Sequence, residues 1–326
     1  MFHRPLGVSI IENLWRSVLM QTIEYAADRA DRLLGQLAFE VSHARQRPDA
    51  DNVHDLRVGI RRFTQALVVF EPCFPAKEAA KIRRRLKEMM ALAGEVRNFD
   101  IALKFLSRSD LAESGALRSQ LQAGRKEAER ALVCALRRWT ERKSSAKWRR
   151  GLHSETPSKP FSESATEVAA QQVLSRLVEK FSKTGEKAVA EKATPKDLHR
   201  LRIHSKRFRY SLELFAPLYG ATLTSCLGRI RKVQALLGAI NDCQTVRDLL
   251  SRFGGGKELD AELKKRQRRK TNEFSRYWAD AFAGPEREHM ERYLTSGVRR
   301  KRTTKALAAR GASSAASSSS GSSAAA

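Results

Sequence analysis

His54, Arg57 and Arg61 stand at i, i+3 and i+7, and His199, Arg202 and Lys206 repeat that spacing farther along the chain. Such a spacing stacks each trio on one face of an α-helix, with Arg62 and Arg207 flanking the rows and Gln65 and Tyr210 at their ends. Side chains of this kind bind anions. Arg grips two oxygens of a phosphate or carboxylate at once, and Lys acts as a mobile point charge. A basic row on a solvated helix face is common by itself. These rows, however, recur and contain almost no acid, whereas like charges at i+3 and i+4 repel and are normally interspersed with acids. An anionic ligand is the simplest compensation. His54 and His199 fall near helix starts, where the dipole and free amides also favour an anion.

The elements that must hold these rows can be read from their surroundings. Leu56, Ile60, Phe63, Leu67 and Phe70 form an apolar stripe opposite the first row, and Leu201, Phe208, Leu212 and Phe215 its counterpart, with Ser205 at the place of Ile60. Thr194 caps the second helix, with Pro195 in the first position and Asp197 at the positive end of the dipole. Asp51 or Asn52 caps the first, and Pro72 and Pro217 stop the two helices. Over His54–Phe74 and His199–Tyr219 the residues are identical at eight of 21 positions, where chance supplies about one or two. A second matched block, Leu92–Asn98 against Leu236–Asp242, follows at nearly the same offset, so the halves are copies of one unit.

Helical periodicity dominates the rest, and no stretch alternates long enough for a sheet. The pattern predicts helices at 10–47, 52–71, 76–107 and 113–145, a turn-rich linker at 154–160, and helices at 161–191, 195–216, 221–253 and 257–282, with a short one after Pro285. The expected fold is all-α: two pseudo-symmetric four-helix bundles forming one domain over 1–298, with repeats at about 10–150 and 161–297. The segment 299–326, basic and then Ala/Ser only, carries six positive charges and no acid and is expected to be disordered. Over the 326 residues Lys plus Arg number 62 against 36 Asp plus Glu, a net charge of +26, which points to nucleic acid, a membrane surface or polyphosphate as partner. Val8–Met20 is interrupted by Glu12, Asn13 and Arg16, so neither a signal peptide nor membrane insertion is expected. Cys73, Cys134, Cys226 and Cys243 are scattered among apolar residues, as small hydrophobes of a reduced, cytoplasmic protein.

Catalysis is not expected. No His-Glu-x-x-His, cysteine cluster or paired carboxylate accompanies the rows, so neither metal ligands nor catalytic residues nor a cofactor are assigned. Phe253-Gly-Gly-Gly-Lys257 fails the phosphate-loop spacing at Ser251 and Glu258 and reads as a helix-ending turn. Nucleic acid is the alternative ligand, because charge alone admits it. Single-strand binders interleave exposed aromatics with their cations, and Tyr210 is the sole aromatic on either row. RNA or DNA binding is therefore expected to be weaker.

The blocks His54-Asp-Leu-Arg-x3-Arg-Arg-Phe63 and Gly94-x2-Arg97-x2-Asp100, with their second copies, resemble the CHAD family of conserved-histidine α-helical domains over nearly the whole chain before the tail. The resemblance implies two four-helix bundles about a pseudo-two-fold axis, with a central cavity lined by basic residues of both halves. It implies inorganic polyphosphate as ligand and, in some members, association with cytoplasmic polyphosphate granules. Carried across, it assigns binding to His54, Arg57, Arg61, Arg62, Lys87 and Arg97, and to His199, Arg202, Lys206, Arg207 and Arg231. Asn98 stands where the family usually has an acid, and Asn241 replaces the counterpart of Arg97. The Glu-x-Glu-x-Lys strand of the triphosphatase attached in some relatives is missing, which implies a stand-alone binder whose oligomeric state the sequence leaves open.

Overall fold

The computed structural model of the chain describes residues 6–108, 114–153, 163–219, 222–254, 256–282 and 284–294. The expected linker and the basic tail lie outside them. Among the described residues every regular element is helical. The first half comprises α1 (Leu6–Gln46), α2 (Ala50–Val69), α3 (Ala76–Leu106), α4 (Ser114–Glu141) and α5 (Ser144–His153). The second comprises α6 (Glu163–Val189), α7 (Pro195–Phe215), α8 (Thr222–Arg252) and α9 (Lys257–Phe282), followed by α10 (285–294). One 3-10 turn, Glu71–Cys73, follows α2 and another, Ala216–Leu218, follows α7, each holding the proline that stops its helix.

Local chemistry accounts for the boundaries. Thr194 caps α7 in a reciprocal box: its hydroxyl accepts from the Asp197 amide at 3.3 Å, and Asp197 Oδ2 accepts from the Thr194 amide at 3.0 Å. For α2 the cap is Asp49, not Asp51 or Asn52; its carboxylate accepts from the Asn52 amide at 2.8 Å. The helix expected at 113–145 ends at Glu141, and beyond Lys143, at φ 48°, the chain continues in a further helix, α5, that the sequence reading does not assign.

Within each half, neighbours in sequence pack as antiparallel hairpins, α1 on α2, α2 on α3 and α3 on α4, matched by α6 on α7, α7 on α8 and α8 on α9. Across the halves, α1 meets α6, α2 meets α7 and α3 meets α8. The first three helices of each half thus pack against their own counterparts, as an approximate two-fold requires. Every residue of the two expected stripes is buried, and they join one hydrophobic core built from both halves. A smaller core, with Phe99, Leu106, Leu121, Val246, Leu250 and Leu263, lies toward the C-terminal ends of α3 and α8. Val96 and Ile240 belong to the large core, Phe99 and Cys243 to the small one. The apolar interior is therefore divided at the level of residues 97–98 and 241–242. Of the cysteines, Cys226 and Cys243 are buried as expected, but Cys134 is exposed.

Candidate anion-binding site

At that division the cations converge. The apolar stripes of α2 and α7 face inward, and where these helices pack against each other Arg57 and Arg61 of the first row meet Arg202 and Lys206 of the second, so this part of each row lies beside its stripe and not opposite it. Arg57 is half-buried and feels Arg61 and Arg97 of its own half and Arg202 of the other. Its Nη1 donates to the Met90 carbonyl at 3.4 Å, and a Cβ on Gly94 would stand 3.0 Å from that nitrogen. The glycine of the second sequence block therefore makes room for a guanidinium. Across the interface, Arg202 and Lys206 are half-buried, and the Nε of Arg202 is enclosed without a hydrogen-bond partner.

Electrostatics follows from this crowding. Burial, reinforced by Arg61, Arg202 and Arg57, pushes Lys206 down to about 6. Burial with Arg61, Arg202 and Arg97 lowers Arg57 to about 10, and burial with Arg61 lowers Arg202. The carboxylate acting on all three is Asp242 of α8. Burial raises Asp242 even though Arg202, Arg97, Lys206 and Arg266 surround it and pull the other way. Desolvation thus outweighs attraction on both sides, and the cluster stays far from neutral. His54 is exposed at the rim of the cluster; partial desolvation and then Arg97 lower it, with Asp55 opposing and Arg61 and Arg57 adding.

The structure thus brings together His54, Arg57, Arg61, Arg97, Arg202 and Lys206. It adds two residues that the sequence reading missed, Asp242 and Arg266. Asp242 occupies the position of Asn98 in the other repeat, so the acid absent after Arg97 comes from the opposite half. Arg266 enters from α9. In the first half, Phe99 lies only 2.6 Å from where a Cβ on Gly124 would be; the second half has Cys243 and Arg266 at those places, and the smaller side chain leaves room for the larger one. Lys87 and Arg231 are exposed, on the stripes of α3 and α8 that carry Gly94 and Gly238. His199 is also exposed and lines, with Arg202, a separate groove between α7, α8 and α9.

Other expected members do not join. Arg62 points to the α1 side, pairs with Glu213 at 3.1 Å and lines a groove with Phe39 and Glu40. Arg207 is exposed and acts on His204 together with Lys180. Both lie well around the helix from the rows, and Glu213 is a neighbour only in three dimensions. Gln65 and Tyr210, taken as exposed row ends, are buried; Gln65 Nε2 donates to Ser211 Oγ at 3.0 Å across the α2–α7 interface. Asp100 is engaged locally by Arg125 at 2.8 Å.

A groove of about 630 Å³ between α3, α8 and α9 opens onto the cluster at Arg97, Asp242 and Arg266 and continues past Lys104 and Arg108, with Glu258 and Glu262 on its α9 side. No three His, Cys, Asp or Glu side chains gather as a metal-ligand set among the described residues, and none of their helices is long and apolar enough to cross a membrane.

Comparison with known proteins fits this architecture. The structure resembles the crystal structure of the CHAD domain from the plant Ricinus communis, with a TM-score of 0.62 and 20% identity over 84% of this chain and 91% of that one. It also resembles PptA from Streptomyces chartreusis, with a TM-score of 0.56 and 16% identity over 78% and 98%. At these identities the likeness establishes the fold. No curated protein sequence matches the chain. The CHAD domain model matches residues 28–251, which span both repeats of the basic row and all of the cluster except Arg266, and the chain belongs to the CHAD domain family.

Proposed function

We propose that the central cluster binds inorganic polyphosphate, as a grip without chemistry. One observation carries this reading: cations from both halves are drawn into one partly desolvated cluster that a single carboxylate, Asp242, does not balance, to the point that Lys206 is held down to about 6. Concentrating like charge in this way opposes folding; a multivalent anion lifts the penalty by supplying the missing counter-charge. Polyphosphate offers one negative charge per internal unit on a flexible backbone, and the groove past Arg97, Lys104 and Arg108 gives such a chain a path out of the cluster. Membership of a family associated with polyphosphate supports the same ligand. Nucleic acid fits less well, because Tyr210 is buried and no other aromatic stands on the rows to stack a base. With this ligand, the reading extends to a cytoplasmic protein associated with polyphosphate granules.

The decisive experiment is competition between long-chain polyphosphate and RNA for the full chain at physiological salt. Polyphosphate is expected to displace RNA at equal phosphate concentration, with affinity falling steeply as salt rises. Displacement of polyphosphate by RNA would transfer the site to nucleic acid.

A further inference from the structure

We propose that the groove between α7, α8 and α9 is a second subsite, one that takes the nucleoside of a nucleoside triphosphate whose phosphates reach the central cluster. The proposal rests on the anion-binding reading of that cluster. It begins from a difference between the halves. In the first, Arg125 of α4 donates to Asp100 of α3 at 2.8 Å, contacts Glu129, and donates to the Pro48 carbonyl at 2.7 Å, closing the space between the start of α2, α3 and α4. The buried residues Leu121, Leu132 and Leu136 of α4 have the same spacing as Leu263, Phe274 and Trp278 of α9, and Gly94 of α3 matches Gly238 of α8. This register puts Gln244 in the place of Asp100 and Gln267 in that of Arg125. The ion pair is gone. Gln244 donates along its own helix to Asp248 at 2.7 Å, and a groove of about 430 Å³ opens where the first half is shut.

The lining names the ligand class. Leu198, Leu237 and Ile240 give the groove an apolar floor, while Asn241 and Gln267 set amides around it. A bare phosphate chain wants cations on every side and gains nothing from leucine. A flat heteroaromatic body buries apolar area on such a floor and presents donors and acceptors at its edge to amides, and the volume suits a small molecule. Its basic side chains are His199 and Arg202 from α7 and Lys264 and Arg268 from α9, and Lys264 is already paired with Asp260 at 2.7 Å. Arg202, whose Nε has no partner, is shared between this groove and the central cluster. A ligand lying in the groove therefore directs its anionic end through Arg202 toward Lys206.

The test compares ATP with tripolyphosphate, which carries a similar chain without the nucleoside, by titration calorimetry on the full chain in metal-free buffer. ATP is expected to bind about tenfold more tightly, from the apolar area that the base buries. The paired substitution Gln244→Asp and Gln267→Arg rebuilds the closure of the first half at no net charge. It should abolish the preference while leaving tripolyphosphate affinity in place, and Asn272→Trp, on the exposed rim, should do the same by bulk. Equal affinity for the two ligands, or a preference surviving in both helical variants, overturns the proposal alone. Failure of tripolyphosphate and ATP alike to bind overturns the reading of the central cluster as well.

Discussion

Lys206→Met is expected to make the ligand-free protein more stable and a poorer binder. In the fold the ammonium is held down to about 6, from an ordinary 10.5, by burial and then by Arg61, Arg202 and Arg57. The sign follows from proton counts. Between the folded and unfolded values the unfolded chain binds the extra proton, so this lysine's penalty is greatest at low pH and fades as pH rises toward 10.5. At pH 7.5 about three pKa units remain, each worth ~1.4 kcal/mol, a ceiling of ~4 kcal/mol. Relaxation of neighbouring side chains and water entry reduce this to ~2 kcal/mol. Methionine keeps the length and apolar stem and removes the proton, so the melting temperature should rise by about 4 °C at pH 7.5. Polyphosphate acts oppositely, since a nearby polyanion favours the charged amine. Binding at pH 7.5 should therefore take up protons, visible as a dependence of calorimetric heat on the ionisation enthalpy of the buffer, and Lys206→Met should lose part of that uptake. A variant that melts at or below the parent temperature and takes up as many protons would refute the crowded-cation account of the cluster.

Three further outcomes follow from the same geometry. Arg57→Glu and Arg202→Glu should each weaken polyphosphate binding by about tenfold or more, and the double variant should fall short of the product, since both act on one ligand; circular dichroism should stay helical, and one silent substitution would show that only one half binds. Arg62→Ala should leave polyphosphate affinity within about twofold while costing at most ~1 kcal/mol of stability, since the partly exposed pair with Glu213 is lost but Glu213 keeps Arg209 at 3.7 Å, measured by urea denaturation; a tenfold loss of affinity would put Arg62 back in the site. His54, lowered by partial desolvation and Arg97, is neutral in the free protein near pH 7 and is drawn toward its charged form by a bound polyanion. Affinity should thus rise as pH falls from about 8 to 6, with a shallower slope in His54→Ala; an unchanged slope would remove this histidine.

The helices were legible because their punctuation is local. Pro72, Pro217 and the Thr194–Asp197 box declare themselves to any reader of the chain. The α4–α5 break did not, since Arg142-Lys143-Ser144 contains neither glycine nor proline and the turn is made by a lysine at positive φ. The rows were legible because they repeat. Asp242 and Arg266 were not, because they serve the site by breaking the repeat: each differs from its counterpart, Asn98 or Gly124, and only packing shows that Cys243 leaves room where Phe99 fills it. Arg62 reads in sequence as a flank of the row, and Glu213, 151 residues away, holds it on the other side.

The seam between the halves bears on how a long chain can be captured. Tyr25 donates to the Leu214 carbonyl at 2.6 Å and lies parallel to Phe215 at 6.3 Å, while Gln65–Ser211 and Arg62–Glu213 stitch α2 to α7. Together with the shared core, these contacts join the two halves along their length among the described residues, which opposes their parting like jaws. If the cluster takes polyphosphate as proposed, capture would proceed by lateral laying-in or by end-first reptation along the groove, and release by peeling unit after unit. A long polymer would leave slowly through many small steps, whereas a short one would depart in a single event. Residence time should accordingly grow with polymer length far faster than the encounter rate does.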